Sequence, residues 1–196
     1  MKIGIFGGTF DPIHKGHIAC ALFAKETLNL DLVYFVVAHD PWQKSVAGSQ
    51  IAPAELRYSM VEAALVNIEG LFPSHVDIDR GGPSYSADTV ISISHLHPDS
   101  DLYLIVGSDV AKDIGTWHRG EEASKNVKLV VVARKGTEVV MPGPIWDSML
   151  IEDDNLPEIS STECRHFISE GSDISGIVPE EIIPILDANS VYYGNR

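Results

Sequence analysis

Gly7-Gly8-Thr9-Phe10-Asp11-Pro12-Ile13-His14-Lys15-Gly16-His17 stands between a short apolar run and an amphipathic one. Residues 2–6 have strand length, and residues 16–28 place Ile18, Ala21, Leu22 and Leu28 near one helical face. The string is therefore a strand-to-helix turn. Glycines at such a turn let backbone N–H groups approach a ligand closely, and the helix N-terminus adds free N–H donors and a partial positive charge. His14 and His17 lie three residues apart at the helix start, so both rings can face one point, donating to phosphate oxygens and carrying charge there. Taken singly, these residues are turn formers and caps. Taken together they describe an anion cradle, although the string is neither a Walker loop nor a GxGxxG fingerprint.

Outward from this unit, strand-like and helix-like segments alternate, which points to βαβ units and a parallel sheet. Candidate strands are residues 2–6, 32–38, 75–79, 102–106, 128–133 and 149–152. Those at 32–38, 102–106 and 128–133 are nearly all apolar, as strands covered on both faces should be. Helices are read at 16–28, 53–66, 86–97, 161–168 and 179–188, with loops at 40–50 and 135–144. Ser86 reads as a capping serine with Asp88 in its first turn. No repeat or linker interrupts residues 1–196, so the expectation is a single α/β domain: a doubly wound, Rossmann-like parallel sheet with ligands over the C-terminal strand edges.

Composition narrows the partners. The chain has 196 residues, 44% of them hydrophobic and 21% charged, as in ordinary globular proteins. Its formal net charge of −14 argues against nucleic acid, which needs a basic surface. An acidic protein with anionic substrates must gather its few cations where phosphates sit. Cys20 and Cys164 are too few for a disulfide framework and lack metal-type spacing. No apolar run reaches membrane length or resembles a signal peptide, so a cytoplasmic protein is expected. A homo-oligomer is compatible with all of this.

Near the C-terminus, Ile159-Ser160-Ser161-Thr162-Glu163-Cys164-Arg165 opens another helix. Hydroxyls there cap orphan N–H groups or yield them to a phosphate, and Arg165, one turn in, can fork onto phosphate oxygens. The first string resembles the GTFDPxHxGH signature of the nucleotidyltransferase branch of the HxGH α/β-phosphodiesterase superfamily. The second resembles the ISSTxxR segment with which that superfamily holds the β- and γ-phosphates of ATP, Cys164 replacing an aliphatic residue.

Three further segments resemble nicotinate mononucleotide adenylyltransferases within that superfamily. Arg80 to Thr89 is similar to RxGxSYTxDT, and Gly107-Ser108-Asp109 to Trp117 is similar to GxDxxxxxxxW. Pro41-Trp42-Gln43-Lys44 stands in place of PPHK and keeps the lysine. The resemblance implies AMP transfer from ATP to nicotinate mononucleotide, with Mg²⁺ bridging ATP oxygens and few protein ligands, and no dedicated metal site. It implies that His14, His17, Lys44 and Arg165 act in catalysis. It places Gly7, Gly8, Thr9, Phe10, His14, His17, Gly107, Asp109, Ser160, Ser161, Thr162 and Arg165 around ATP. Lys44, Tyr85, Ser86, Thr89 and Trp117 fall around the mononucleotide.

Physically, a pyridine ring needs a stacking partner, which Trp117 or Tyr85 supplies, and its carboxylate needs N–H donors, which the backbone at Tyr85 and Ser86 supplies. Asp88 should then point away from the ring. Trp117 equally suits a buried core position, Asp109 a helix cap, and His118 with Arg119 a solvated edge. Trp42 and Trp146 read as lid or packing residues, and His39, His75, His95, His97 and His166 as structural or surface ones. The alternatives are a pantetheine-phosphate adenylyltransferase, a cytidylyltransferase of similar fold, or a non-catalytic nucleotide-binding domain.

Overall fold

The structure, a computed structural model, describes residues 1–41 and 51–192. In chain order it runs β1 (Lys2–Gly8), α1 (Lys15–Leu28), β2 (Leu32–Val37), α2 (Ala54–Leu65), β3 (Leu71–Ser74), α3 (Val76–Arg80) and α4 (Ser86–Leu96). It continues with β4 (Asp101–Gly107), α5 (Ser108–Ala111), α6 (Gly120–Ser124), β5 (Lys128–Ala133), β6 (Ser148–Glu152), α7 (Ser161–Glu170) and α8 (Ile183–Ala188). Among the described residues the strands form one sheet in the order β3-β2-β1-β4-β5-β6, every pair parallel. This is the doubly wound α/β order, with its switch point between β1 and β4.

Side-chain alternation along the strands fills two separate cores. Ile3 and Ile5 of β1, Val36 of β2, Leu102, Leu104 and Val106 of β4, and Leu129 and Val131 of β5 face the side covered by α4 and α6. Phe6, Val33, Phe35, Val37, Tyr103, Ile105, Val130 and Val132 face the side covered by α1, α2, α7 and the C-terminal segment. The period of two, apolar on both faces, is why these strands read as unbroken hydrophobic runs. No helix among the described residues is long and apolar enough to cross a membrane.

Local chemistry sets the helix ends. α1 stops where Asn29 adopts the left-handed conformation (φ 51°) and its N–H returns to the Lys25 and Glu26 carbonyls. α7 stops at Gly171 in the same conformation. The expected helix at 179–188 is instead a 3-10 turn, Glu180–Ile182, followed by α8, with Pro184 in its first turn.

The expected strand at 75–79 is a helix. Val76 and Ile78 alternate with Asp77 and Asp79, a strand-like period, but the pairing edge lies earlier at Leu71–Ser74. Pro73 is tolerated there because β3 is an edge strand. Asp77 is buried and accepts from Arg80 Nη2 at 2.9 Å, and the Thr89 hydroxyl lies 2.8 and 3.0 Å from its two oxygens. Thr89 thereby ties α3 to α4. Replacing Thr89 by Val should destabilise the fold by about 1–3 kcal/mol, because a buried carboxylate loses a donor. A urea denaturation series should show that loss as a lower midpoint at constant slope, and Thr89→Ser should recover most of it. An unchanged midpoint in the valine variant would return Thr89 to the solvent.

Candidate functional site

The β1–α1 loop is shaped by an aromatic side chain beneath it. Phe10 takes a left-handed backbone (φ 50°) and buries its ring against Phe6 and Phe35, 2% exposed. A Cβ on Gly8 would lie 2.8 Å from that ring, so only glycine fits, whereas a Cβ on Gly7 would meet nothing within 4 Å. The loop backbone is thus pinned from below and open above. Thr9 and Phe10 contribute main chain to the cradle, and the Phe10 side chain belongs to the core.

His14 and His17 form a reciprocal capping box. His14 Nδ1 accepts from the His17 N–H at 3.3 Å, and His17 Nδ1 accepts from the His14 N–H at 3.2 Å. Since each Nδ1 accepts, the hydrogen-bond network assigns the proton of each neutral ring to Nε2, as a donor. The rings stack with centroids 3.5 Å apart, and His17 stands edge-on to Phe10 at 5.1 Å. Burial lowers the His14 pKa to about 4 despite the opposing field of Glu163. Burial and the accepting Nδ1 thus favour the neutral ring, with its Nε2–H as donor.

The second signature docks on the first. Ser160 caps α7 in a capping box with Glu163, at 3.2 and 2.9 Å. Ser161 Oγ donates to the Pro12 carbonyl at 3.0 Å, and Arg165 Nη1 donates to the Asp11 carbonyl at 2.8 Å. Arg165 Nη2 also reaches Thr162 Oγ1 at 3.2 Å. Two segments about 150 residues apart in sequence thus meet at one end of the sheet. Cys164 is fully buried core, its thiol pushed up to about 11 by burial and then by Glu163.

At the neighbouring strand end, Gly107 leads into α5, and Asp109 folds back so that a Cβ on Gly107 would sit 2.6 Å from its Oδ1. No side-chain cap bond forms at α5. Burial, helped by the Asp109 carboxylate, pushes the Cys20 thiol on α1 up to about 12, which places Asp109 across from α1 at the switch point.

The segment Arg80 to Thr89 gathers beside the end of β2. The His39 N–H donates to Ser84 Oγ at 2.9 Å, and Asp40 and Ser84 join through main chain. Tyr85 caps α4 without a side-chain bond, so Ser86 stands at the first helical position rather than at the cap. The Tyr85 and His118 rings lie 4.4 Å apart. Trp117 is half-buried, edge-on at 6.3 Å to Trp146, which is core packing. Asp88 is paired with Arg119. Trp42 and Lys44 lie outside the described residues.

The cytidylyltransferase-like family model matches residues 5–167. A probable nicotinate-nucleotide adenylyltransferase of Corynebacterium glutamicum is 37% identical over 194 residues, covering 97% of this chain and 88% of the relative. One of Thermus thermophilus is 38% identical over 195 residues, covering 98% of this chain and all of the relative. The chain belongs to the nicotinate-nucleotide adenylyltransferase family. Its fold is also that of a Plasmodium falciparum nicotinic acid mononucleotide adenylyltransferase solved in complex with NaAD, with a TM-score of 0.77 at 22% identity over 97% of both chains.

Sequence reasoning did not find Arg57, Asp11 and Tyr192. The Arg57 side chain on α2 is 1% exposed and donates to three main-chain carbonyls, Thr9 at 2.7 Å, Ala52 at 2.8 Å and His39 at 3.1 Å. Asp11, also buried, accepts from the Tyr192 hydroxyl at 2.6 Å and the Ala52 N–H at 3.3 Å. A charged residue in the middle of an apolar helical pattern was the available signal for Arg57.

The His14 geometry has a titration consequence. Its folded pKa of about 4 lies below the ordinary 6.5, so the unfolded chain binds more protons between those values. The stability conferred by the neutral ring is fully present above pH 6.5 and is lost as pH falls toward about 4, by up to roughly 3 kcal/mol. NMR of the imidazoles should show His14 neutral at pH 5. His75, hydrogen-bonded to Glu55 and Asp79, should titrate above the ordinary value. A His14 resonance titrating near 6.5 contradicts the burial.

Proposed function

We propose that this chain transfers AMP from ATP to nicotinate mononucleotide, giving nicotinate adenine dinucleotide and pyrophosphate, in the cytoplasm. The observation that carries the reading is the docking of Ser161 and Arg165 onto the Pro12 and Asp11 carbonyls, beside the paired histidines. It joins a neutral-donor cradle to a guanidinium at the switch point, where nucleotides sit in open α/β sheets. The relatives' names supply the acceptor.

In this reading the acceptor phosphate attacks the α-phosphorus of ATP in line, the P–O bond to the β-phosphate breaks, and pyrophosphate leaves. No nucleophilic side chain is needed, because positioning and charge stabilisation carry such transfers. The backbone N–H groups of residues 8–10 and the Nε2–H donors of His14 and His17 receive α-phosphate oxygens, whose charge grows in the transition state. Arg165, with Thr162 and the Ser161 main chain, holds the departing pyrophosphate, and Lys44 meets the acceptor phosphate. Asp109 takes a ribose hydroxyl. Trp117 and Tyr85 flank the pyridine ring, and the N–H groups at the start of α4 receive its carboxylate. Thr89, engaged with Asp77, supports that helix start from behind.

Mg²⁺ is proposed to arrive on the nucleotide. The donors around the cradle are imidazole nitrogens and main-chain N–H groups, a set that suits phosphate oxygens and not a hard cation, so the ATP oxygens themselves would hold the ion. When bound, it neutralises phosphate charge.

Pyrophosphate release should be measured with ATP or CTP against nicotinate mononucleotide, nicotinamide mononucleotide and phosphopantetheine. ATP with nicotinate mononucleotide should be the best pair. Donors at the α4 start should favour the nicotinate over the nicotinamide form by roughly 10- to 10³-fold. A better rate with phosphopantetheine, or with CTP as donor, would overturn the assignment. His17→Ala should lower kcat about 10²- to 10³-fold with a smaller change in KM for ATP, since the lost donor matters most in the transition state. Near-normal turnover would leave His17 only its capping role.

A further inference from the structure

Arg119 holds two carboxylates on two helices. Its Nη1 lies 2.5 Å from Asp88 Oδ1 on α4, and its Nε lies 2.6 Å from Glu122 Oε2 on α6. The Glu122 contact is local, three residues along the chain, but the Asp88 contact spans 31 residues and joins the loop before α6 to the first turn of α4. The neighbouring Tyr85–His118 ring contact joins the same two segments. Arg119 is held there on a left-handed backbone (φ 57°), a conformation uncommon for any residue with a side chain.

Asp88 is in the first turn of α4, the turn whose N–H groups are assigned above to the acceptor's ring carboxylate. An aspartate there stabilises the helix, but it also competes electrostatically with any anion brought to the same donors. In a chain of net charge −14, nothing in the general field offsets that repulsion. The guanidinium of Arg119 does so locally. Without it, Asp88 would lose its ion-pair partner at the start of α4.

We propose that the Arg119–Asp88 ion pair is a specificity element of the acceptor site: by neutralising Asp88 at the start of α4, Arg119 lets that helix start receive a pyridine bearing a carboxylate in preference to one bearing a neutral amide. The inference rests on the acceptor reading given above and adds a residue to it. Arg119 acts through Asp88, as a positioning residue, since its Nη1 and Nε are both engaged by carboxylates. His118, just before it, is turned toward the start of α4, its ring against Tyr85.

The test compares Arg119→Gly, Arg119→Lys, Asp88→Asn and the double variant Asp88→Asn/Arg119→Gly. Glycine suits the left-handed backbone at this position, so loss of the side chain does not strain the loop. For each, kcat/KM is measured with nicotinate and with nicotinamide mononucleotide, and the amide form is also measured as a competitive inhibitor, so that the ratio is read even where its turnover is slow. Thermal melts verify folding. Arg119→Gly should lower the nicotinate-over-amide ratio roughly three- to tenfold, chiefly through KM for the nicotinate form, because both charges are partly solvated. The loss should shrink as salt is added. Arg119→Lys should keep most of the preference, and the double variant should restore it. An unchanged ratio in Arg119→Gly overturns the proposal. So does a double variant as poor as the single one, which would mean that Arg119 touches the carboxylate itself. A wild-type protein inactive on nicotinate mononucleotide removes the acceptor reading and this inference together. A wild-type protein active on it, with variants of equal ratio, removes this inference alone.

Discussion

A fully buried guanidinium holds the site's frame together. Arg57 gives its Nε and both terminal nitrogens to main-chain carbonyls from the β1–α1 loop, the end of β2 and the approach to α2. Burial lowers its pKa from the ordinary value, and Asp11 opposes that shift. A buried cation is costly unless its donors are all satisfied, and satisfying them fixes the partners' geometry along with the charge. Here the partners are carbonyls of three irregular segments that no helix or sheet ladder would otherwise order. Asp11 extends the network to Tyr192, so the last described turn of the chain is tied to the first loop. Any shift of Thr9 would leave a buried donor unmet, which is how a loop of glycines becomes a defined surface.

The aromatic cluster acts on the same loop from the sheet side. Phe35, Phe6 and Phe10 meet edge-on or tilted, with centroids 5.2 to 5.9 Å apart, and Phe10 passes the contact to His17. His17 in turn stacks on His14. Rotation of either imidazole is opposed by packing on one side and by the reciprocal capping bonds on the other. Pre-set donors of this kind need little reorganisation when charge develops on a ligand, which is the physical requirement for stabilising a transition state rather than merely binding an anion.

How much of this was legible in the sequence follows from the range of the interactions. β1, β2, β4 and β5 were visible because strands buried on both faces must be continuously apolar, and the partly exposed edge strand β6 was visible from the short run Met149-Leu150-Ile151. The two segments that meet at the strand ends were visible because their chemistry is local: glycines, caps and a helix start. The 75–79 segment misled because Val76 and Ile78 alternate with aspartates, and only the tertiary contact of Asp77 with Thr89 explains why one of those aspartates faces inward. Ser86 looked like a cap, yet the chain turns one residue earlier, at Tyr85. Arg57 offered only its charge within an apolar helical pattern, and the roles of Asp11 and Tyr192 were not legible, because the partners are main-chain atoms or residues far along the chain. The charge state of His14 was equally hidden, since burial and not residue type decides it.

The electrostatics of the site follow from how few cations this chain has. With 14 Lys and Arg against 28 Asp and Glu, a strongly positive basin is not available. The sequence allows the histidines to carry charge at the cradle, and burial at His14 favours the neutral ring. A neutral donor in a buried turn costs far less desolvation than a cation when no anion is present, so the cradle can be dry and pre-formed. Among the described residues beside the cradle, Arg165 brings formal charge; it sits at the edge, anchored on the Asp11 carbonyl and more than one-third exposed. The division has a chemical logic. Hydrogen-bond donors of fixed direction belong where the geometry of a transferring group must be recognised, and a solvated guanidinium belongs where a highly charged product must be held and then released.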